Sequence, residues 1–322
     1  MRKFGLILGV LLASLGAADG SRAEPKAIAV TPSSTPRGWA SKSAEATSDL
    51  TAGKPLVIEV FVPLCSSKRG GPCGKTEESG EADNLEDNIY WGAIFGAKRF
   101  LERKHLGWTQ TEAGPGEEFE LERVTYKRTT SGSRFGVSES VEVFLVLHGI
   151  QGDSNREALT RFRDTAESGG RVKFNDGSGM REERVHVVGF MGRNPLLVNG
   201  RPPVHPQKPD LPAPQASAGA IPSFSIGAYS RETLGPWLAN TSSRALLLAR
   251  GGVASEGYLL DSVARGLAEN NNAYELEQRA SKTYAEYHKM PRAQSDVYFS
   301  RYMPKVLWGD VKAKAPPKKP SN

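Results

Sequence analysis

Val141-Glu142-Val143-Phe144-Leu145-Val146-Leu147, continuing into His148-Gly149-Ile150-Gln151-Gly152, is the stretch that decides how the rest of the chain reads. It is apolar at nearly every position rather than at every second one, as expected of a strand covered on both faces of a parallel sheet. From about Asp153 to Ala166 the period becomes helical, with Asp153 or Ser154 as cap and Ala158, Leu159 and Phe162 on the inner face. A second run of the same kind, Leu56 to Val62, ends at Pro63. Arg184–Phe190, Ser223–Tyr229 and Ala245–Ala249 read as further strands. Helices are expected at about 231–239, 256–269 and 273–289, the last capped by Asn272, with Tyr274, Leu276, Ala280, Tyr284 and Tyr287 along one side. This alternation predicts an α/β fold, a mostly parallel sheet with helices on both faces. Ligands of such sheets bind outside the carboxyl ends of the strands, here after Val62, Leu147, Phe190 and Ala228.

Other segments are more mixed. Residues 84–104 predict one long helix, with Leu85, Ile89, Tyr90, Ala93, Ile94, Ala97, Phe100 and Leu101 as a core-facing stripe. Glu86 and Asp87 in its first turn, and Lys98, Arg99, Arg103 and Lys104 in its last, suit the helix dipole. Phe119 to Tyr126 alternates like an edge strand. A loop over 199–223 carries Pro202, Pro203, Pro206, Pro209, Pro212, Pro214 and Pro222, which excludes helix and central strand. It reads as a solvated excursion, or alternatively as a lid over the strand end after Phe190.

The chain has 322 residues, 38% of them apolar, with 34 glycines and two cysteines. That composition excludes a disordered, collagen-like or disulfide-dense chain. The net charge of +6 is carried mostly by the ends, +2 from residues 1–23 and +3 from residues 309–322, leaving +1 for the body. No nucleic-acid-binding face is therefore expected. Met1-Arg2-Lys3, an apolar run from Phe4 to Leu15 and Ser21-Arg22-Ala23 follow the grammar of a signal peptide over 1–23, too short to span a bilayer comfortably. Export, periplasmic or extracellular, without a membrane span after cleavage, is the expectation. Residues 24–53 then read as a flexible segment, 54–308 as a single α/β domain, and 309–322 as a disordered basic tail. In an oxidising compartment Cys65 and Cys73 fit a small disulfide loop, with free thiols as the alternative.

Candidate chemistry is sparse. His105, His148, His186, His205 and His288 show no metal-ligand spacing, and no glycine-rich phosphate loop follows a strand, so neither metal nor cofactor is expected. His148-Gly149 after a strand allows an oxyanion-hole reading, with a variant nucleophile elbow at Ser223-Phe224-Ser225-Ile226-Gly227 and Asp261 and His288 to complete a triad. The alternative functional reading is therefore a serine hydrolase using Ser225 or Ser230 with His148. A thiol peptidase with its nucleophile on a later strand is excluded, since no cysteine follows Cys73. The simplest reading of His148 is a buried histidine donating to a backbone carbonyl.

Taken together, Val57-Ile58-Glu59-Val60-Phe61-Val62-Pro63-Leu64-Cys65 and Asn88-Ile89-Tyr90-Trp91-Gly92-Ala93-Ile94-Phe95-Gly96 resemble an uncharacterised family of bacterial proteins reading V-F-V-A-L-C and N-L-Y-W-G-A-x-x-G. The resemblance continues through Gly152–Phe162, Gly189–Leu197, Tyr229-Ser230 and Gly251–Tyr258. It implies a fold that is caspase-like or Rossmann-like. Members carry G-H-N-x-L-M-D where this chain has Gly192-Arg193-Asn194-Pro195-Leu196-Leu197-Val198, and A-C-K-S where it has Gly227-Ala228-Tyr229-Ser230. A strand-end histidine with a later strand-end cysteine is similar to the dyad of caspase-like peptidases. Here arginine replaces the base and alanine the nucleophile, so the resemblance implies a scaffold without catalytic residues. The expected role is binding of a small anionic ligand or peptide in a strand-end cleft of His148, Arg193, Asn194, Tyr229 and Ser230.

Overall fold

The protein is described as a computed structural model covering residues 38–69, 73, 74, 76–203 and 219–300. In chain order the elements are α1 (Ala44–Thr51), β1 (Leu56–Pro63), α2 (Ala97–Leu101), β2 (Thr109–Gly114), β3 (Glu120–Thr130), β4 (Val141–Ile150), α3 (Asn155–Ser168), β5 (Arg171–Asn175), β6 (Met180–Arg184), β7 (Val187–Phe190), β8 (Ser223–Ser225), α4 (Ser230–Thr233), α5 (Gly235–Leu238), β9 (Ala245–Leu248), α6 (Gly257–Ala268), α7 (Ala273–His288) and α8 (Arg292–Phe299). Seven strands form one sheet in the order β2-β3-β4-β1-β7-β8-β9. β4, β1, β7, β8 and β9 run parallel to one another, and β3 and β2 continue antiparallel from β4. The fold is α/β with a mostly parallel sheet, as the strand–helix alternation predicts.

β1 and β4 are apolar throughout because both faces are covered. Leu56, Ile58, Val60 and Val62 of β1, with Val143, Leu145 and Leu147 of β4, enter a core shared with α1, α2, α6 and α7. Val57 and Phe61, with Phe144, Val146 and Ile150, point the other way, into a core closed by α3 and α5. α3 lays down Ala158, Leu159 and Phe162 as its helical spacing predicts. α6 is buried on nearly every side, as befits a helix between the sheet and α7. Asn272 caps α7 in a capping box with Glu275.

Several expectations need correction. The predicted helix over 84–104 shrinks to α2, preceded by a chain of turns. Asn84 and Asn88 compete for the backbone there: Asn84 Oδ1 accepts from the amides of Glu86 and Asp87, and Asn88 Oδ1 from those of Tyr90 and Cys65. The chain also folds back so tightly that a Cβ at Gly92 would stand 2.2 Å from the Leu85 carbonyl oxygen. The Phe119–Tyr126 run belongs to an interior strand, β3, and the edge is β2. Arg184–Phe190 is not one strand. β6 pairs with β5 in a separate hairpin, and β7 begins the parallel sheet anew after His186. Ser223–Tyr229 is a strand only to Ser225.

Residues 24–53, expected to be flexible, are folded from residue 38 onward. Trp39 is buried and donates Nε1–H to the Leu267 carbonyl, Asn270 Oδ1 accepts from the Ala40 amide, and Ser43 caps α1. Residues 1–23, where a signal peptide is expected, residues 309–322 of the basic C-terminal stretch and residues 204–218 of the proline-rich loop lie outside the described residues. On its return that loop is tied to α3, the Ile221 amide donating to the Ala166 carbonyl. Among the described residues no helix is long and apolar enough to cross a membrane.

Candidate functional site

Order reverses in the sheet between β1 and β7: from β1 the chain goes to β4 on one side and later returns to β7 on the other. Such a switch point opens a crevice at the carboxyl ends of the strands. Here Leu64-Cys65-Ser66 leaves β1 and Met191-Gly192-Arg193-Asn194 leaves β7. Cys65 is bonded to Cys73. Asn88, fully buried, braces the same turn, its Nδ2 donating to the carbonyls of Cys65 and Glu81. Ser66 Oγ donates to Asp153 at 2.7 Å, and Arg193 Nη1 donates to the Ser66 carbonyl at 3.2 Å. A polar rim thus links the ends of β4, β1 and β7.

Next along the edge, Asn194 Nδ2 donates to the Ala228 carbonyl at 2.9 Å and to Thr233 Oγ1 at 2.8 Å. Arg193 and Ala228 therefore follow neighbouring parallel strands. Asn194 and Ser230 are themselves consumed by the framework. Ser230 is buried; its hydroxyl lies 3.1 Å from the Ser225 carbonyl oxygen and accepts from the Ala249 amide. Tyr229 takes a left-handed backbone conformation, φ 54°, that turns the chain from β8 into α4. Tyr90 comes to the rim beside Arg193 and Glu256. Burial raises its hydroxyl pKa; the guanidinium opposes that shift and the carboxylate adds to it.

His148 does not belong to this cleft. It lies on the α3 face, and its partners are carboxylates rather than the backbone carbonyl expected of it. Nε2 lies 3.0 Å from Glu59 Oε1 and Nδ1 3.0 Å from Glu120 Oε1, the second contact being off the line of a good hydrogen bond. Glu120 also accepts from Arg123 at 3.1 Å, and Phe61 stacks on the imidazole with centroids 5.0 Å apart. Burial alone would lower the imidazole pKa. The bonds and charges of Glu120 and Glu59 outweigh it and hold the value up at about 9. Glu120 is correspondingly held below the usual carboxylate range, its contacts with His148 and Arg123 overcoming burial. The result is a closed ion network joining β1, β3 and β4.

That arrangement leaves the serine-hydrolase reading without a base. Ser225 sits three strands from β4, roughly 14 Å away at the usual strand spacing. It and Ser230 are buried, and both His148 nitrogens already face carboxylates. Asp261 is in α6, bound to Trp108 Nε1 and Arg265. His288 instead meets Tyr258 Oη at 2.8 Å. No candidate triad converges.

Sequence reasoning missed Glu59 and Glu120. Glu59 interrupts an otherwise apolar buried strand, and that was the available signal: a buried carboxylate needs a partner. No group of histidine, cysteine and carboxylate side chains suited to a metal occurs among the described residues. A groove of 530 Å³ beside α6 and α7 lies away from the strand ends. Its arginines are already engaged, Arg265 with Asp261, Arg279 with Glu269 and Arg292 with Asp296.

The fold and the strand-end rim define an α/β protein whose sheet has a switch point between β1 and β7 and, among its described residues, no assembled nucleophile–base pair. Comparison with family models, curated proteins and solved structures finds no match to this chain.

Proposed function

We propose that the chain is an exported binding protein without catalytic activity, derived from a caspase-like scaffold, and that it takes a small anion or a peptide carboxylate at the rim beside Arg193. The observation that carries this reading is the adjacency of Arg193 and Ala228 at the ends of β7 and β8, joined through Asn194. In the family that the sequence resembles, those positions hold a histidine and a cysteine. A guanidinium is already fully protonated at neutral pH and cannot take a further proton, and alanine offers no electron pair to a carbonyl. What such a crevice retains is recognition, for which arginine, a fork of charged donors, suits a carboxylate. The disulfide and the apolar stretch after Met1-Arg2-Lys3 support export.

The test uses the full chain and two probes. A fluorophosphonate probe should leave it unlabelled, and succinate should bind by calorimetry and lose at least tenfold in affinity in Arg193→Met. Labelled serine, or succinate binding unchanged by the substitution, would overturn the reading.

A further inference from the structure

Beside the strand-end rim, α2 and the end of α7 build an aromatic cluster that nothing so far employs. Tyr287 stacks face to face on Tyr258, centroids 4.1 Å apart and planes 7° apart. Phe95 and Phe100 stand edge-on to Tyr287, each at 5.9 Å. Arg103 lies over two of these rings, its guanidinium carbon 4.1 Å from the Phe100 centroid and 5.6 Å from that of Phe95, and its Nη2 donates to the Ile94 carbonyl at 2.7 Å. Although the cluster's inner members are buried, its outer ones are not: Ile94 is 67% exposed and Tyr287 40%.

An isolated exposed apolar side chain needs no explanation. This group differs in two ways. Ile94 and Tyr287 border one rigid aromatic platform, so its contact area carries little ordering cost; tyrosine is favoured at recognition surfaces for the same reason. The guanidinium at its centre forms no ion pair with any described residue, while Lys104 and Lys289, next to Arg103 and His288 in the chain, are exposed. An apolar platform with a guanidinium that stacks on its rings but forms no ion pair complements an apolar side chain next to a carboxylate.

We propose that Ile94, Phe95, Tyr287 and Arg103 form a docking surface for a partner protein's peptide segment that pairs an aromatic or leucine side chain with an adjacent Asp or Glu. The apolar side chain lies against Ile94 and Tyr287, and the carboxylate meets Arg103. This surface stands independently of the rim beside Arg193.

The experiment is a peptide array in a Gly-Ser background carrying Phe-Glu, Leu-Asp, Phe-Lys and Ser-Glu pairs, read with the labelled full chain. Phe-Glu and Leu-Asp spots should exceed the other two at least tenfold. Ile94→Glu, at a position 67% exposed, should abolish that excess with melting temperature unchanged, and Tyr287→Ala should abolish it as well. Arg103→Gln should keep Phe-Glu above Ser-Glu but erase its advantage over Phe-Lys. Arg193→Met should change none of these. Equal signal across the four spots, or full binding by Ile94→Glu, would overturn the proposal. So would a dimer in sedimentation that Ile94→Glu dissolves, which would assign the face to a second copy of the chain.

Discussion

His148 Nε2 lies 3.0 Å from Glu59 Oε1 across the β4–β1 pair, both side chains being buried beneath α3. With Glu120 on the other nitrogen and Arg123 behind it, two cations balance two carboxylates where water cannot. Removing the imidazole would strand buried carboxylates, and breaking a buried pair from one side costs about 3–5 kcal/mol. His148→Ala is therefore expected to lower unfolding free energy in urea by about that amount. The triple change His148→Leu, Glu59→Leu and Glu120→Gln should recover much of the loss, since an apolar replacement needs no counter-charge. A His148→Ala protein as stable as the parent would show that the network contributes nothing.

The two buried histidines should titrate in opposite directions. His148 is held up at about 9, above its unfolded value near 6.5, so its contribution is complete below about 6.5 and fades as pH rises through 9. His186 is pushed down to about 4, burial dominating over the opposing charge of Asp49; its Nδ1 accepts from the Val57 amide, which requires the neutral ring. Its contribution is complete above about 6.5 and is lost as pH falls toward 4. Stability should thus be greatest near pH 6.5 and fall on either side of it, toward 9 through His148 and toward 4 through His186. Imidazole carbon–proton resonances followed from pH 4 to 10 would check it: one midpoint near 9, and another ring neutral down to about 4. Both midpoints near 6.5 would refute the assignment.

The parallel core was legible because burial on both faces leaves a compositional trace, clear in Leu56–Val62 and Val141–Leu147. So was the loop joining Cys65 and Cys73. Residues 84–96 misled because their apolar spacing is helical while the side chains of Asn84 and Asn88 bind backbone amides and divert the chain, a local competition that periodicity does not register. β2 offered only Thr109-Gln110-Thr111-Glu112, polar enough for a loop, and is a strand because β3 pairs with it. At the candidate site, the adjacency of Arg193 and Ala228 follows from strand order. The orientation of His148 depends on Glu59 and Glu120, which are distant in sequence, one of them on a strand of another direction.

Reduction of the disulfide should be measurable without unfolding the protein. Closing a loop between Cys65 and Cys73, eight positions apart, restricts the unfolded chain by about 2.5 kcal/mol on the loop-entropy model. Cys65→Ala with Cys73→Ala should lower the urea midpoint accordingly. It should also loosen the turn that Asn88 braces, seen as faster exchange of the amide at position 65, which in the parent protein is held by Asn88 Oδ1 at 2.9 Å. An unchanged midpoint with unchanged exchange would mean that Asn88 alone fixes the strand end.

Gly189 tests how closely β7 and β8 are packed. An added Cβ would stand 2.3 Å from Cζ of Phe224, a ring that is fully buried in the core between the sheet and α6. Since the ring has no open side, Gly189→Ala must push it or the strand aside, and overpacking of that kind costs about 1–3 kcal/mol. The shift would reach the neighbouring strand end, because Ser225 pairs with Phe190 and Asn194 reaches across to Ala228. Gly189→Ala should therefore weaken succinate binding at Arg193 as well as stability, while the exposed Gly107, with nothing near its Cβ position, should affect only stability when changed to Ala, through its left-handed φ of 74°. Calorimetric titration and urea melts on the two variants separate the effects: equal losses of affinity in both would show that the strand-end rim does not depend on β7–β8 packing.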